Sequence, residues 1–291
     1  MDKYPLVIET LKIVNSKSGN VEIIKDLLEY FHTKLDIEAV AIRLVEGEDY
    51  PYFSSKGFPN SFIHEENSLC SRDASKKIRR DNNGIPMLEC MCGNILRERF
   101  DPSFPFFTDK GSFWTNGSSK LLSSTSKEER QAETRNTCNS IGYESVALIP
   151  IRIDTEVIGL LQLNDKKENK FTLDLIESLE FVCEHIGIAL LRCKTEEQIR
   201  EKIKLESIVE MAGATCHEIN QPLQVILGNS EIILNKIVTK TDDNYISLIE
   251  DINKSAYRMS IITSKMQKIT KYQTKHYAGD TDIIDLENVH D

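Results

Sequence analysis

The spacing of apolar residues changes along the chain, and each change marks an element. Leu6, Leu11 and Val14, then Val21, Ile24, Leu27, Leu28, Phe31 and Leu35, recur at helical spacing. Ser18-Gly19-Asn20 separates the two runs, with Asn20 placed as an N-cap for the second. Residues 39–45 (AVAIRLV) read as a strand. After the turn residues Gly47-Glu48-Asp49, its partner is expected at Tyr50 to Ser54. From 57 to 135 the pattern is irregular and rich in Gly, Ser, Asn and Pro. Strand signal returns at Ser145 to Arg152, turns at Asp154-Thr155-Glu156 and runs back through Val157 to Leu163, which predicts a hairpin. Thr172 then stands as N-cap to a helix whose apolar face is Leu175, Ile176, Leu179, Val182, Ile186, Ala189 and Leu190.

No Pro or Gly falls between Leu190 and Gly213, so this helix is expected to continue through Lys194-Thr195-Glu196-Glu197-Gln198. It would then enter a stretch striped by Leu205, Ile208, Ala212, Thr215, Ile219, Leu223, Ile226, Ser230, Ile233 and Ile237. Those steps of three or four residues describe the seam of a bundled helix. A turn at Thr239 to Asn244 precedes a second stripe, Tyr245, Ile249, Ile252, Ala256, Met259, Ile262, Met266 and Ile269, which predicts an antiparallel helical hairpin. Neither helix buries its stripe alone, so a homodimer with a four-helix bundle is the physical expectation.

Composition narrows the classes. A length of 291 residues suggests two domains, and 40% hydrophobic with 28% charged residues is ordinary for a globular protein. A net charge of −10 speaks against nucleic acid as the partner. The opening MDKYPLVIETLKIV lacks a signal-peptide layout, and no run approaches the ~18 apolar residues that span a bilayer. A cytoplasmic location with no membrane span is therefore expected. Seven cysteines, an odd number, do not suggest a disulfide framework.

Within the seam, His217-Glu218-Ile219-Asn220-Gln221-Pro222-Leu223 gathers chemistry. His217 is two residues from Thr215 and from Ile219, which places it roughly 200° from the seam, on a face another protein can reach. Pro222 has no N–H, so the Glu218 carbonyl loses its helical partner and a local bend is expected. A neutral imidazole is a competent nucleophile near neutral pH, and a neighbouring carboxylate raises its basicity. The plain alternative is a surface histidine on an amphipathic helix.

These seven residues resemble the phosphoacceptor box of two-component sensor histidine kinases. The resemblance implies that His217 carries phosphate on a ring nitrogen and that Glu218 accepts the proton released. It implies that Gln221, with Asn220, helps orient water for dephosphorylation. A response-regulator receiver domain is the implied partner. The hairpin SVALIPIRIDTEVIGLLQLND (145–165) and the helix leaving it resemble a GAF domain over roughly 15–193. A PAS domain shares the general plan but fits the entering helices and the IGLLQL strand less well.

The expected fold is therefore α+β: a GAF-like sensor domain (1–193) followed by a helical hairpin that dimerises into a four-helix bundle. The sensor carries an insertion at about 57–140. A linker or signalling helix spans 194–210, the phosphoacceptor and dimerisation hairpin 205–275, and a tail 276–291. The tail resembles the strand that leads onward to the kinase ATP-binding domain. No asparagine-rich box, glycine-rich lid or G-x-x-x-x-G-K-[ST] follows or precedes it, so there is no ATP site in this chain. The expectation is that it does not phosphorylate itself and is loaded in trans, by a histidine kinase supplying the ATP-binding domain or by a phosphorylated receiver. Two alternatives stand beside this: a noncatalytic dimerisation partner of a full kinase, and the N-terminal part of such a kinase.

Two groups of sensor residues are candidates for the input. Cys70, Cys90, Cys92 and Cys138 fall in or beside the insertion. Four soft ligands suit zinc or an iron–sulfur cluster; a redox pair and simple buried thiols are the other readings. Cys183, Cys193 and Cys216 lie on helices, where packing explains them. Phe113, Trp114 (the only tryptophan) and Asn116, with Arg135, are candidates for an aromatic-lined ligand pocket, with an insertion packing its own small core as the alternative. His64 and His185 are read as structural.

Overall fold

The computed structural model describes residues 3–16, 19–130, 135–239, 250–259, 261–262, 274–277 and 281–284. The chain forms two compact units, Met1–Glu197 and Gln198–Asp291.

The first unit begins with α1 (Lys3–Ser16) and α2 (Asn20–Lys34). The N-cap of α2 is Gly19 rather than Asn20, whose side-chain oxygen is buried without a partner. A five-stranded antiparallel sheet follows, built from β1 (Ala39–Leu44), β2 (Tyr52–Lys56), β3 (Phe113–Thr115), β4 (Ser145–Ile153) and β5 (Glu156–Asp165) in the order β2-β1-β5-β4-β3. The predicted hairpin is the β4–β5 pair, with Asp154 at φ 52° in its turn.

β1, β4 and β5 read as continuous apolar runs because the sheet is covered on both faces. Side-chain alternation divides them into two cores. Val40, Ile42, Ala147, Ile149, Ile151, Leu161 and Leu163 pack with α1, α2 and the start of α8 (Leu173–Thr239). Ala39, Ala41, Val146, Leu148 and Leu160 pack on the other face with the insertion. Thr172 opens α8 as expected, its Oγ1 accepting the Leu175 N–H at 3.3 Å. The face at Ile176, Leu179, Val182, Ile186, Ala189 and Leu190 is buried.

The stretch read as irregular is more ordered than its pattern suggests. It contains α3 (Asn60–Glu66), α4 (Cys90–Leu96), α5 (Ser118–Ser124), α6 (Lys127–Arg130), α7 (Thr137–Ser140) and the edge strand β3. Isolated bridges Cys70↔Leu88, Arg72↔Ile78 and Arg80↔Pro86 ladder the segment between α3 and α4. Elements this short show no period, which is why composition dominated their reading.

In the second unit, α8 continues to Thr239, residues 250–259 and 261–262 are helical, and β6 (Thr274–Tyr277) pairs antiparallel with β7 (Thr281–Ile284). Most of the expected turn, together with Tyr245, Ile249, Met266 and Ile269 of the second stripe, lies outside the described residues. Among the described residues no helix is long and apolar enough to cross a membrane.

Candidate functional site

On the insertion side of the sheet lies a cavity of about 690 Å³, its open mouth included. The floor is the sheet: Arg43 on β1, Tyr52 on β2, Phe113 and Thr115 on β3, Val146 and Leu148 on β4, and Gln162 on β5. Register places these side by side, since Gln162 pairs with both Ala41 and Leu148, and Phe113 with Leu148. The walls are Phe62 and Glu66 of α3, Cys90, Met91 and Cys92 of α4, Leu121 and Leu122 of α5, Arg130 of α6, and the segment from Asn136 to Asn139 around α7. Two backbone positions at its rim, Cys90 (φ 63°) and Asn136 (φ 60°), hold the left-handed conformation that non-glycine residues rarely adopt.

A polar chain crosses the floor. Tyr52 Oη donates to Gln162 Oε1 (3.0 Å), and Gln162 Nε2 donates to Asn164 Oδ1 (3.2 Å) and toward Cys138 Sγ (3.8 Å). Arg43 lies over Tyr52, its Cζ 3.5 Å from the ring centre. Its Nη1 donates to the carbonyls of Tyr50 (2.9 Å) and Asn67 (3.0 Å), and its Nη2 to that of Glu66 (2.5 Å). Glu66, also buried, accepts from Thr137 Oγ1 (2.7 Å) and sits 3.7 Å from Arg135 Nη1. Burial pushes the Tyr52 hydroxyl well above its ordinary pKa.

The four candidate cysteines part company. Cys90, Cys92 and Cys138 line the cavity, whereas Cys70 is placed by the Cys70↔Leu88 bridge, with its Sγ directed to the Glu48 carbonyl (3.7 Å). Burial raises all four thiols, Cys138 to about 12 and Cys70 to about 11, the latter helped by Asp49. Among the described residues no three His, Cys, Asp or Glu side chains are arranged to hold a metal ion. A thiol raised in this way carries little thiolate at neutral pH.

Of the aromatic candidates, Phe113 faces the cavity. Trp114, the next residue on β3, faces the opposite core by strand alternation. Asn116 ties the β3 exit to the start of α8, with Nδ2 donating to the Phe171 carbonyl (2.8 Å) and Oδ1 accepting the Phe171 N–H (2.9 Å). Arg135 is spent on Glu89 (2.7 Å) and the Ser68 carbonyl (3.0 Å). Sequence reasoning missed Arg43, Tyr52, Gln162 and Arg130. Two of them carried a signal: Arg43 in AVAIRLV and Gln162 in IGLLQLND are polar residues inside strands apolar on both faces.

In the second unit the box His217 to Leu223 falls within α8, with Pro222 inside the helix and buried. Glu218, Asn220 and Gln221 are exposed, and the His217 side chain lies outside the described residues.

The family model for the GAF domain matches residues 22–190. Solved structures that resemble the chain include a free methionine-R-sulfoxide reductase from Neisseria meningitidis in complex with its substrate (11% identity, 67% of this chain and 91% of that one, TM-score 0.46). Another is the GAF domain of a phosphoenolpyruvate-protein phosphotransferase from Coxiella burnetii (12% identity, 68% and 98%, TM-score 0.46). A third is a domain described as part of a two-component sensor histidine kinase protein from Sinorhizobium meliloti (10% identity, 62% and 95%, TM-score 0.41). No curated protein matches the sequence.

Proposed function

The chain belongs to the GAF domain family, and on that footing we propose that it is a cytoplasmic signal-transduction sensor whose cavity controls a histidine phosphoacceptor at His217. The observation that carries this reading is α8. Its first turns anchor Ile176, Leu179, Val182 and Ile186 in the core of the sensor, and His217 to Leu223 fall within the same helix, Leu173–Thr239. A helix shared by sensor and phosphoacceptor is a means of passing a change in packing along the chain.

In the proposed reaction a phosphoryl group passes from a receiver-domain aspartyl phosphate, or from ATP held by a histidine kinase, to a ring nitrogen of His217. The leaving group departs as carboxylate or ADP, and the ring proton goes to Glu218. Asn220 and Gln221 position the water that later removes the phosphate. A second copy of the chain, a receiver domain and a histidine kinase are the proposed partners. Exposed apolar side chains on the second unit, among them Leu205, Leu223 and Leu227, support the pairing of copies.

The test is phosphotransfer from a receiver domain charged with acetyl phosphate. The expected product is an acid-labile, base-stable label on the chain that His217→Ala abolishes. Label that persists in His217→Ala, or no label on the unsubstituted chain, overturns the phosphoacceptor role and leaves a noncatalytic partner of a kinase as the reading.

A further inference from the structure

We propose that the cavity takes an uncharged aromatic molecule of about one ring, held between the sulfur atoms of α4 and α7 and the rings of Phe62 and Phe113. This names the ligand class for the sensor cavity and rests on that cavity being a ligand site.

The polar groups around the cavity are turned to the protein, and the surface it offers a guest is almost wholly apolar. Arg43 is spent on the carbonyls of Tyr50, Asn67 and Glu66 and on the Tyr52 side chain. Tyr52 and Gln162 bond to each other, and Glu66 is taken by Thr137 and Arg135. Asn139 Nδ2 donates to the hydroxyls of Ser118 (2.9 Å) and Ser119 (2.8 Å). The Nε atoms of Arg43 and Arg130, which lack partners, are sealed from the space and offer a ligand nothing. A charged guest would therefore leave water without a counter-charge, at a cost that a neutral one escapes.

The apolar lining is of a particular kind. Cys90, Met91, Cys92 and Cys138 bring four sulfur-bearing side chains to one space. Their thiols are raised by burial, so they stay protonated and uncharged at neutral pH. Neutral, polarisable sulfur pairs favourably with an aromatic ring, more so than with a saturated chain. Phe62 and Phe113 add rings that their neighbours hold in place. Phe62 stacks on Phe58 with centroids 5.0 Å apart, and Phe113 meets Phe106 and Phe107 edge-on at 6.1 and 6.0 Å. Walls backed in this way keep the space formed before a ligand arrives. An apolar cavity of about 150 Å³ is enough for benzene. The 690 Å³ here includes the mouth and accommodates a ring with a short substituent.

The experiment compares rings that differ in charge and in aromaticity. Purified chain with labelled methyl groups is titrated with toluene and indole, with benzoate and benzylammonium, and with methylcyclohexane, followed by NMR. Toluene and indole are expected to bind, with ring protons showing Overhauser contacts to the methyl groups of Met91, Val146 and Leu148. Benzoate and benzylammonium are expected to bind at least about tenfold more weakly, as a charge without a counter-ion predicts. Methylcyclohexane is expected to bind about three- to tenfold more weakly than toluene, the share owed to sulfur and ring contacts. Leu121→Trp, which puts bulk into the space from α5, is expected to abolish binding. Should that variant not fold, the comparisons and the Overhauser contacts on the unsubstituted chain decide alone. No binding of toluene or indole, a charged ring or methylcyclohexane bound as tightly as toluene, contacts to methyl groups outside the cavity, or a folded Leu121→Trp chain that binds unchanged overturns the proposal. None of these readouts involves phosphate on His217, so their failure and that of the phosphoacceptor role are separate results.

Discussion

Cys138 shows how burial sets the chemistry of a single residue. Its thiol is pushed up to about 12, chiefly by burial, against an ordinary value near 9. A group whose folded pKa is raised stabilises the fold below its unfolded pKa, and that contribution fades as pH climbs toward the folded value. Stability is therefore expected to fall between pH 9 and 12 by an amount on the order of a few kcal/mol. Tyr143, raised by burial to about 12, adds to the fall in the same direction. Urea unfolding across that range checks this. A Cys138→Ala chain should show a shallower decline, and an identical decline would assign the effect to other groups. The same burial explains why these thiols are not set up as reactive at neutral pH, where only a trace of thiolate would form.

At the scale of elements, α8 is seated by a residue that has no side chain. A Cβ built on Gly187 would meet the Arg152 carbonyl oxygen at 1.8 Å, so helix and β4 touch backbone to backbone there. Gly187→Ala must push the helix off the sheet, and the expected loss is about 1–3 kcal/mol despite alanine's better helix propensity. Chemical denaturation measures it, and unchanged stability would mean that the contact relaxes freely. This helix was legible in the sequence, as was the β4–β5 hairpin. Both are long enough to display a period, and Thr172 announces the start of α8 with a side-chain cap. The cavity was only half legible. Cys90, Cys92, Cys138 and Phe113 drew attention by residue type, but that α4, α7 and β3 bring them to one face of the sheet depended on long-range pairing that nothing local fixes. Trp114 was assigned to the pocket for want of that register, and Asn116 and Arg135 because polar residues beside aromatics look available when their partners, Phe171 and Glu89, are 55 and 46 positions away. Arg43 was the converse case. Its surroundings come from two segments, around Tyr50 and at Glu66-Asn67, and only the assembled fold brings their carbonyls onto the guanidinium.

For the whole molecule the open question is what covers the helical seam. The core of the first unit accounts for the apolar face of α8 as far as Cys193. Beyond Gln198 the helix carries Leu205, Leu223 and Leu227 on one side in exposed positions, Leu205 at 63%. Apolar side chains repeated at helical spacing and left in water constitute an unsatisfied surface, and burying them returns about 25 cal/mol per Å². A second copy of the same helix satisfies it in register, because an isologous contact sets each stripe against itself. The chain is thus expected to sediment as a dimer at micromolar concentration. Leu205→Arg, which places a charge at a seam position already open to solvent within one chain, should shift it toward monomer. The unfolding of the sensor unit, whose core excludes that position, should be unchanged. Analytical ultracentrifugation of both chains decides the matter: a monomeric unsubstituted chain would remove the bundle from the proposal, and a Leu205→Arg chain that still dimerises would move the interface elsewhere.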